Sequence, residues 1–271
     1  MCMEKLLVCT YDGDKDQFEI FCQCLAKNWK GNQFLTVVVN SSKDWPATNH
    51  HAKQTANKCL PNWTVEFIDG RHPSGNGVNE MLINKVRYSI DDRFEETIVF
   101  DAKDYLLRPA DLSVFKQGNN YRTVFILDQP HQEMYPDSVK LFDFDISDVP
   151  AMINLTPWVW NTYQLKKYWQ YMNIRFGPWE KWHQYPGGMD ADTYYLYTVC
   201  DTRKSFEFFD KDHNPIIVSG GWTHQTYKGM LQEAEDFETW QERIVWKHSR
   251  KLEDPRCAEV TNQMLRKYSI V

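Results

Sequence analysis

Four apolar runs recur in the first hundred positions, and what separates them decides the fold class. They are "KLLVCT" (5–10), "QFLTVVVNSS" (33–42), "WTVEFIDG" (63–70) and "TIVFD" (97–101). Continuous runs of this kind mark strands covered on both faces. Between the first two, "DKDQFEIFCQCLAKNW" (14–29) places Phe18, Phe21, Cys22, Leu25 and Trp29 on one helical stripe. Asp14 followed three residues later by Gln17 resembles a capping box at its start. Before the fourth run, "GNGVNEMLINKVRYSI" (75–90) returns to helical period, with Val78, Leu82, Val86 and Ser89 on one side. The stretch between the second and third runs reads as a loop. The order strand, helix, strand, loop, strand, helix, strand predicts a doubly wound α/β sheet with right-handed crossovers. Ligands of such sheets sit outside the carboxyl ends of the strands. The "CTYDGD" loop, the Asp69 turn and "DAKD" (101–104) would then line one crevice.

After residue 110 the pattern changes. "YRTVFILDQ" (121–129) and "MINLTPWVW" (152–160) read as strands, the second followed by the helical "NTYQLKKYWQYM". "SFEFFD" and "PIIVSGG" (205–221) suit a hairpin. "KGMLQEAEDFETWQERIVWKHSRKL" (228–252) has helical spacing at Leu231, Ala234, Phe237, Trp240 and Ile244, which leaves "WKHSRK" as a solvated basic helix end. No internal repeat or linker composition interrupts the chain. The expectation is one domain over 1–271, an α+β C-terminal half added to the same mixed sheet.

Composition removes several classes. The net charge of −6 argues against a protein that coats nucleic acid by bulk charge, although a local basic patch would suffice. Hydrophobic residues at 42% can build a sizeable core, and no apolar run has the length of a membrane span. The N-terminus lacks the pattern of a signal peptide, so a soluble, cytoplasmic protein is expected. Seven cysteines cannot all pair and show no zinc spacing, which predicts reduced, mostly buried thiols. No G-x-G-x-x-G follows the first strand, no P-loop is present, and no serine stands in a nucleophile elbow.

The fourth run ends on Asp101, with Lys103 and Asp104 directly after it. Asp101 as a turn cap and Asp104 as a solvated acid is one reading. An acid at the end of a central strand, however, needs a positive partner to offset desolvation. A divalent cation, Mn²⁺ or Mg²⁺, is one such partner, since it takes carboxylate oxygens together with substrate phosphates. Lys103 or Arg108 is the other, in a site that holds a diphosphate with basic groups and needs no metal.

"CTYDGD" after strand one and "FDAKDYLLRP" after strand four together resemble GT-A-type glycosyltransferases, with their acidic DxD at this location. More specifically, "DAKD" resembles the "LDAKN" of an uncharacterised glycosyltransferase-like family. In that family a helix and a "TPWVW"-like segment also occur, matched here by "EMLINK" (80–85) and residues 156–160. The acids here are three apart, not two as in DxD. The resemblance implies a GT-A-like (Rossmann-like) mixed sheet flanked by helices. Residues 1–110 would form the nucleotide-binding half and 111–271 the acceptor-binding half. Thr10, Tyr11 and Asp12 would bind the donor nucleoside. Lys85 would approach the donor or the acids, unless it is an exposed helix lysine. Asp101 and Lys103 would meet the donor's ribose and diphosphate, and Asp101 with Asp104 would hold the metal.

"YPGGMDADTYYLY" (185–197) offers a second acidic site. Asp192, then Asp190, is the candidate base for an inverting transfer, and either also suits an N-cap. His224 in "GGWTH" is a candidate metal ligand or a loop histidine. Lys228 is a further candidate for the diphosphate. Trp179, Trp182 and Trp222 are candidate acceptor platforms, because indole faces stack on sugars and bases.

The function expected is sugar transfer from a nucleotide-sugar, UDP-sugar favoured, to an acceptor hydroxyl. The acceptor is a glycan or small molecule, or a hydroxymethylated base as in viral DNA modification. A non-catalytic nucleotide- or glycan-binding protein of the same fold is the alternative. A phosphohydrolase wants more His and Asp at strand ends than the sequence offers.

Overall fold

The computed structural model of the chain describes residues 3–40, 49–70, 77–117, 120–124, 156–184, 207–209, 218–220, 226–248 and 255–271. The four runs are strands β1 (Glu4–Thr10), β2 (Phe34–Val39), β3 (Thr64–Asp69) and β4 (Glu96–Asp101). A fifth strand, given its number in chain order as β8 (Trp158–Asn161), joins them in the order β3-β2-β1-β4-β8. The pairings among β3, β2, β1 and β4 are parallel, and β8 runs antiparallel on β4. All seven residues of β1 are buried, because it lies between β2 and β4 with layers on both faces. Its Leu6, Leu7 and Val8 are fully covered. Such burial contributes about 1.5–3 kcal/mol per large apolar side chain.

Helix α1 (Lys15–Asn28) buries Phe18, Phe21, Cys22 and Leu25 as the periodicity predicts, with Phe21 against Phe100 of β4 at 5.7 Å between ring centroids. Its start differs from the expected capping box. The Asp14 side chain accepts no capping bond, and the chain enters the helix through a 3₁₀ turn, Asp12–Asp14, in which the Asp14 N–H donates to the Tyr11 carbonyl. The expected loop after β2 contains helix α2 (Asn49–Cys59), whose buried stripe is Ala52, Thr55 and Ala56. Small residues give a weak periodic signal, yet they let α2 pack closely on α1. Helix α3 (Gly77–Ser89) buries Ile83, Asn84, Lys85, Val86 and Ser89. It is covered by the sheet on one side and by α5 (Thr162–Phe176) and the 3₁₀ turn Trp179–Gln184 on another, so its polar residues are enclosed as well.

After β4 come β5 (Asp104–Leu106), the short helix α4 (Leu112–Phe115), β6 (Lys116–Gln117) and β7 (Asn120–Val124). The expected hairpin over 205–221 is replaced by two separate pairings. Strand β9 (Glu207–Phe209) lies parallel to β7, and β10 (Val218–Gly220) lies parallel to β11 (Val245–Lys247). The helix expected to continue to residue 252 stops earlier: α6 spans Tyr227–Thr239, and β11 takes the "VWK" that follows. Strand β11 also pairs antiparallel with β5, so Trp246 and Lys247, at the start of the segment read as a solvated basic end, lie in the middle strand of a three-stranded sheet.

The end of α6 is held from a distance. Arg108 donates to the carbonyls of Phe237, Trp240 and Arg243, and its guanidinium lies over the Phe237 ring. Helix α7 (Pro255–Lys267) packs on α6, and Tyr268 sits edge-on to Phe237 at 5.6 Å. Arg108 is therefore a helix-end cap, not the diphosphate ligand the sequence allowed. Among the described residues no helix is long and apolar enough to cross a membrane. Arg108→Met should lower unfolding stability by about 2–3 kcal/mol, the worth of charge-assisted bonds to backbone carbonyls near a helix end. Urea denaturation followed by tryptophan fluorescence measures that loss.

Candidate active site at the end of strand β4

The strand order reverses between β1 and β4: β1, β2 and β3 step outward one way, and β4 returns to the other side of β1. A ligand crevice forms at such a switch point, outside the carboxyl ends of the strands. The register sets Asp101 beside Cys9, one residue before Thr10. Thr10 is buried and its carbonyl accepts from the Asn40 N–H, tying the ends of β1 and β2 together. Tyr11 is half-buried, and its ring lies so close over Gly13 that a Cβ there would stand 2.3 Å from it. Of Asp12 only the backbone is described.

Asp101 is the centre of a buried ion cluster. Lys85 of α3 donates to its Oδ1 at 2.5 Å, and Lys247 of β11 donates to its Oδ2 at 3.0 Å. The Thr156 hydroxyl donates to the same Oδ2 at 3.0 Å and accepts from Lys247 at 2.6 Å. The third Lys247 hydrogen goes to Asp104 Oδ1 at 2.6 Å, so this ammonium is fully satisfied. The remaining Asp104 oxygen accepts from the Asp101 backbone N–H at 2.7 Å, which folds the chain from β4 into β5. Lys85 also lies over the Trp158 ring at 4.7 Å. The side chains of Lys85, Lys247 and Asp104 are 2%, 3% and 0% exposed, whereas Asp101 keeps 30%. Asp101 alone of the four therefore presents an edge to solvent.

Burial works against ionisation of Asp101, but Lys247 and Lys85 outweigh it and hold the carboxyl well below the usual range. Asp104 moves the other way: burial and the neighbouring Asp101 charge raise it despite Lys247. Burial opposes the Lys247 charge too, yet the two carboxylates raise its pKa above the ordinary lysine value. Burial pushes the adjacent Cys9 thiol up to about 12, so it is inert as a nucleophile. The described cysteines are free thiols, as expected.

The structure brings Thr10, Tyr11, Lys85, Asp101 and Asp104 to one end of the sheet. Lys103 sits half-buried in the turn between β4 and β5, where its carbonyl accepts from the His248 N–H. Lys85 is buried in the site, so its reading as an exposed helix lysine does not hold. Lys247 was missed, because its partners lie 146 and 143 residues away. One local signal pointed to it. The glycine pair after "PIIVS" includes Gly220, which has φ +111° and pairs with Lys247, and a Cβ there would stand 2.5 Å from the Lys247 carbonyl. Only glycine allows β10 to lie so close.

Trp182 is fully buried against Trp169 and donates to the Gly177 carbonyl, so it has no open face to offer an acceptor. Trp179 is half-buried beneath the Arg87 guanidinium at 4.3 Å. Lys228 stands exposed in the first turn of α6. Asp190, Asp192, Trp222 and His224 lie outside the described residues.

The expected divalent ion fits this donor set poorly. Both Asp101 oxygens already bind ammonium groups, and both Asp104 oxygens are bonded and covered. Among the described residues no group of three or more His, Cys, Asp or Glu converges. An added cation would meet two lysines before it met a free carboxylate.

No protein-family model matches the chain, and no curated protein matches it. Solved structures do. Mouse xyloside xylosyltransferase 1, in its apo form, superposes with a TM-score of 0.53 at 11% identity, covering 94% of this chain and all of that one. The apo bifunctional glycosyltransferase WbbM gives 0.52 at 10%, covering 97% of this chain and 50% of that one. The fold is GT-A. Within this sheet, Asp101 ends β4, the strand next to β1.

Lys247→Met tests the cluster. Removing one partner of a buried pair should cost about 3–5 kcal/mol. Asp104 in this variant should hold its proton to higher pH. The folded state then binds more protons than the unfolded chain, so stability falls as pH rises above about 4, the ordinary carboxylate pKa. Chemical denaturation at several pH values should show a steeper downward slope for the variant than for the wild type.

Proposed function

We propose that this protein is a glycosyltransferase that moves a sugar from a nucleotide-sugar, UDP-sugar favoured, to an acceptor hydroxyl. The observation that carries the reading is Asp101. It stands at the switch point, is fixed by Lys85, Lys247 and Thr156, and keeps one edge exposed. A buried carboxylate cluster is costly to maintain, and an acid held rigidly at a ligand crevice suits a preorganised binding group. Both solved relatives are named as glycosyltransferases, one a xylosyltransferase, which recommends UDP-xylose alongside UDP-hexoses as a test donor.

In this proposal Thr10, Tyr11 and Asp12 contact the nucleoside. Asp101 accepts a hydrogen bond from a donor hydroxyl, and Lys85 positions it. Residues 1–110 supply the donor side of a single domain and 111–271 the acceptor side. Asp192, or failing it Asp190, takes the proton from the acceptor hydroxyl. Trp179 and Trp222 border the acceptor, which is a glycan, a small molecule or a hydroxymethylated DNA base. The setting is cytoplasmic.

A second reading has one observation in its favour. The paired acids are satisfied internally, as in a structural ion network, so the fold could hold a nucleotide or glycan without chemistry. Donor turnover separates the two. The enzyme should release UDP from a UDP-sugar in a coupled assay, and Asp101→Asn should lower kcat/KM by about 100-fold or more, the scale for losing a preorganised polar contact. Tight UDP binding with no release from any donor would favour the binding protein. Unchanged turnover in a folded Asp101→Asn protein would refute the role given to Asp101.

A further inference from the structure

The charge of the cluster has a chemical consequence for the donor. Asp101 and Asp104 carry two negative charges, and Lys85 and Lys247, each within hydrogen-bond distance, carry two positive ones. The ion pairs therefore sum to zero, where a hard divalent cation wants an uncompensated set of carboxylate oxygens. The next ionisable group along the chain is positive again. Lys103 lies between the two acids in sequence, in a turn whose backbone is fixed by the His248 N–H to Lys103 carbonyl bond at 3.0 Å. Its side chain is half-buried and makes no ion pair or hydrogen bond among the described residues. The switch-point end of β4 thus presents one exposed carboxylate edge over a neutral ion cluster, with an uncommitted ammonium two residues away. Such a surface attracts an anion and repels a metal ion.

Building on the glycosyltransferase reading, we infer that the donor's diphosphate is held here without a divalent cation. Lys103 supplies the countercharge that a metal would otherwise supply. Lys85 and Lys247 act as positioning residues: they neutralise the two acids and hold Asp101 rigid, and they are too deeply covered to serve as the exposed phosphate ligands. Asp101 keeps the task a carboxylate performs without a metal, accepting a hydrogen bond from a sugar hydroxyl of the nucleoside. The interval of three between the acids follows from the same arrangement. Asp104 is turned inward to meet Lys247 across the β5–β11 register, and the position two after Asp101 is left to a lysine.

The test is UDP binding by titration calorimetry on the full chain, in excess EDTA and again in millimolar Mn²⁺, with Mn²⁺ alone titrated by electron paramagnetic resonance. The expected result is a UDP affinity that changes by less than about threefold between the two conditions, and no Mn²⁺ site of submillimolar affinity. Lys103→Met should weaken UDP about tenfold or more, as loss of a charge-assisted phosphate contact does, and Lys103→Arg should retain most of the affinity. Unchanged melting temperatures would confirm that Lys103→Met folds. UDP binding that requires Mn²⁺, a tight Mn²⁺ site in the free protein, or a Lys103→Met variant with wild-type affinity would overturn the inference and leave the glycosyltransferase proposal standing. Failure of UDP and the other nucleoside diphosphates to bind with or without Mn²⁺ would overturn both.

Discussion

A carboxylate with no exposure cannot stay charged unless something positive reaches it, and Asp104 is such a group. Lys247 answers that need, and in doing so it ties three parts of the chain together. It brings β11 alongside β5, it shares its remaining hydrogens with Asp101 and Thr156, and Thr156 leads into the edge strand β8. Lys85 closes the ring from α3. Replacing this cluster with hydrocarbon would cost less in desolvation. Its retention at the switch point of a GT-A sheet is best understood through the one edge it exposes.

Several described elements of the second half support that arrangement. Strand β11 has to sit where Lys247 meets both acids. Gly220 lets β10 flank it closely, and Arg108 anchors the end of α6 that leads into it. Helix α7 and Tyr268 then cover Phe237 and Trp246 behind the strand, with Trp246 donating to Thr261. The C-terminal elements are thus joined to the ends of β4 and β5 through specific polar contacts as well as through apolar packing.

How much of this was legible in the sequence follows from the range of each interaction. Strands β1, β2 and β4 could be read directly, because strands buried on both faces are apolar without interruption, and β3, half-buried at the sheet edge, still carries Val65, Phe67 and Ile68. Helices α1 and α3 could be read because their stripes contain large residues. Helix α2 escaped because alanine and threonine carry its buried face. Asp101 was legible from its place at a strand end, and Lys85 from a family likeness. Lys247 was not, since a lysine in "WKHSRK" looks solvated until a strand more than a hundred residues earlier is laid beside it. The same pairing explains why Asp104, expected as a metal ligand, faces a lysine. Trp182, expected as an acceptor platform, is instead folded back onto Trp169 by the 3₁₀ turn.

The central claim is that an activated donor's charged leaving group lies against the ends of β1 and β4. A crystal structure of the chain with UDP measures this directly. The account predicts density for the diphosphate beside Lys103 and a ribose hydroxyl within hydrogen-bond distance of Asp101. Density at the opposite end of the sheet, near Lys5 and Arg93, or any pose that leaves Asp101 facing only water, would contradict it.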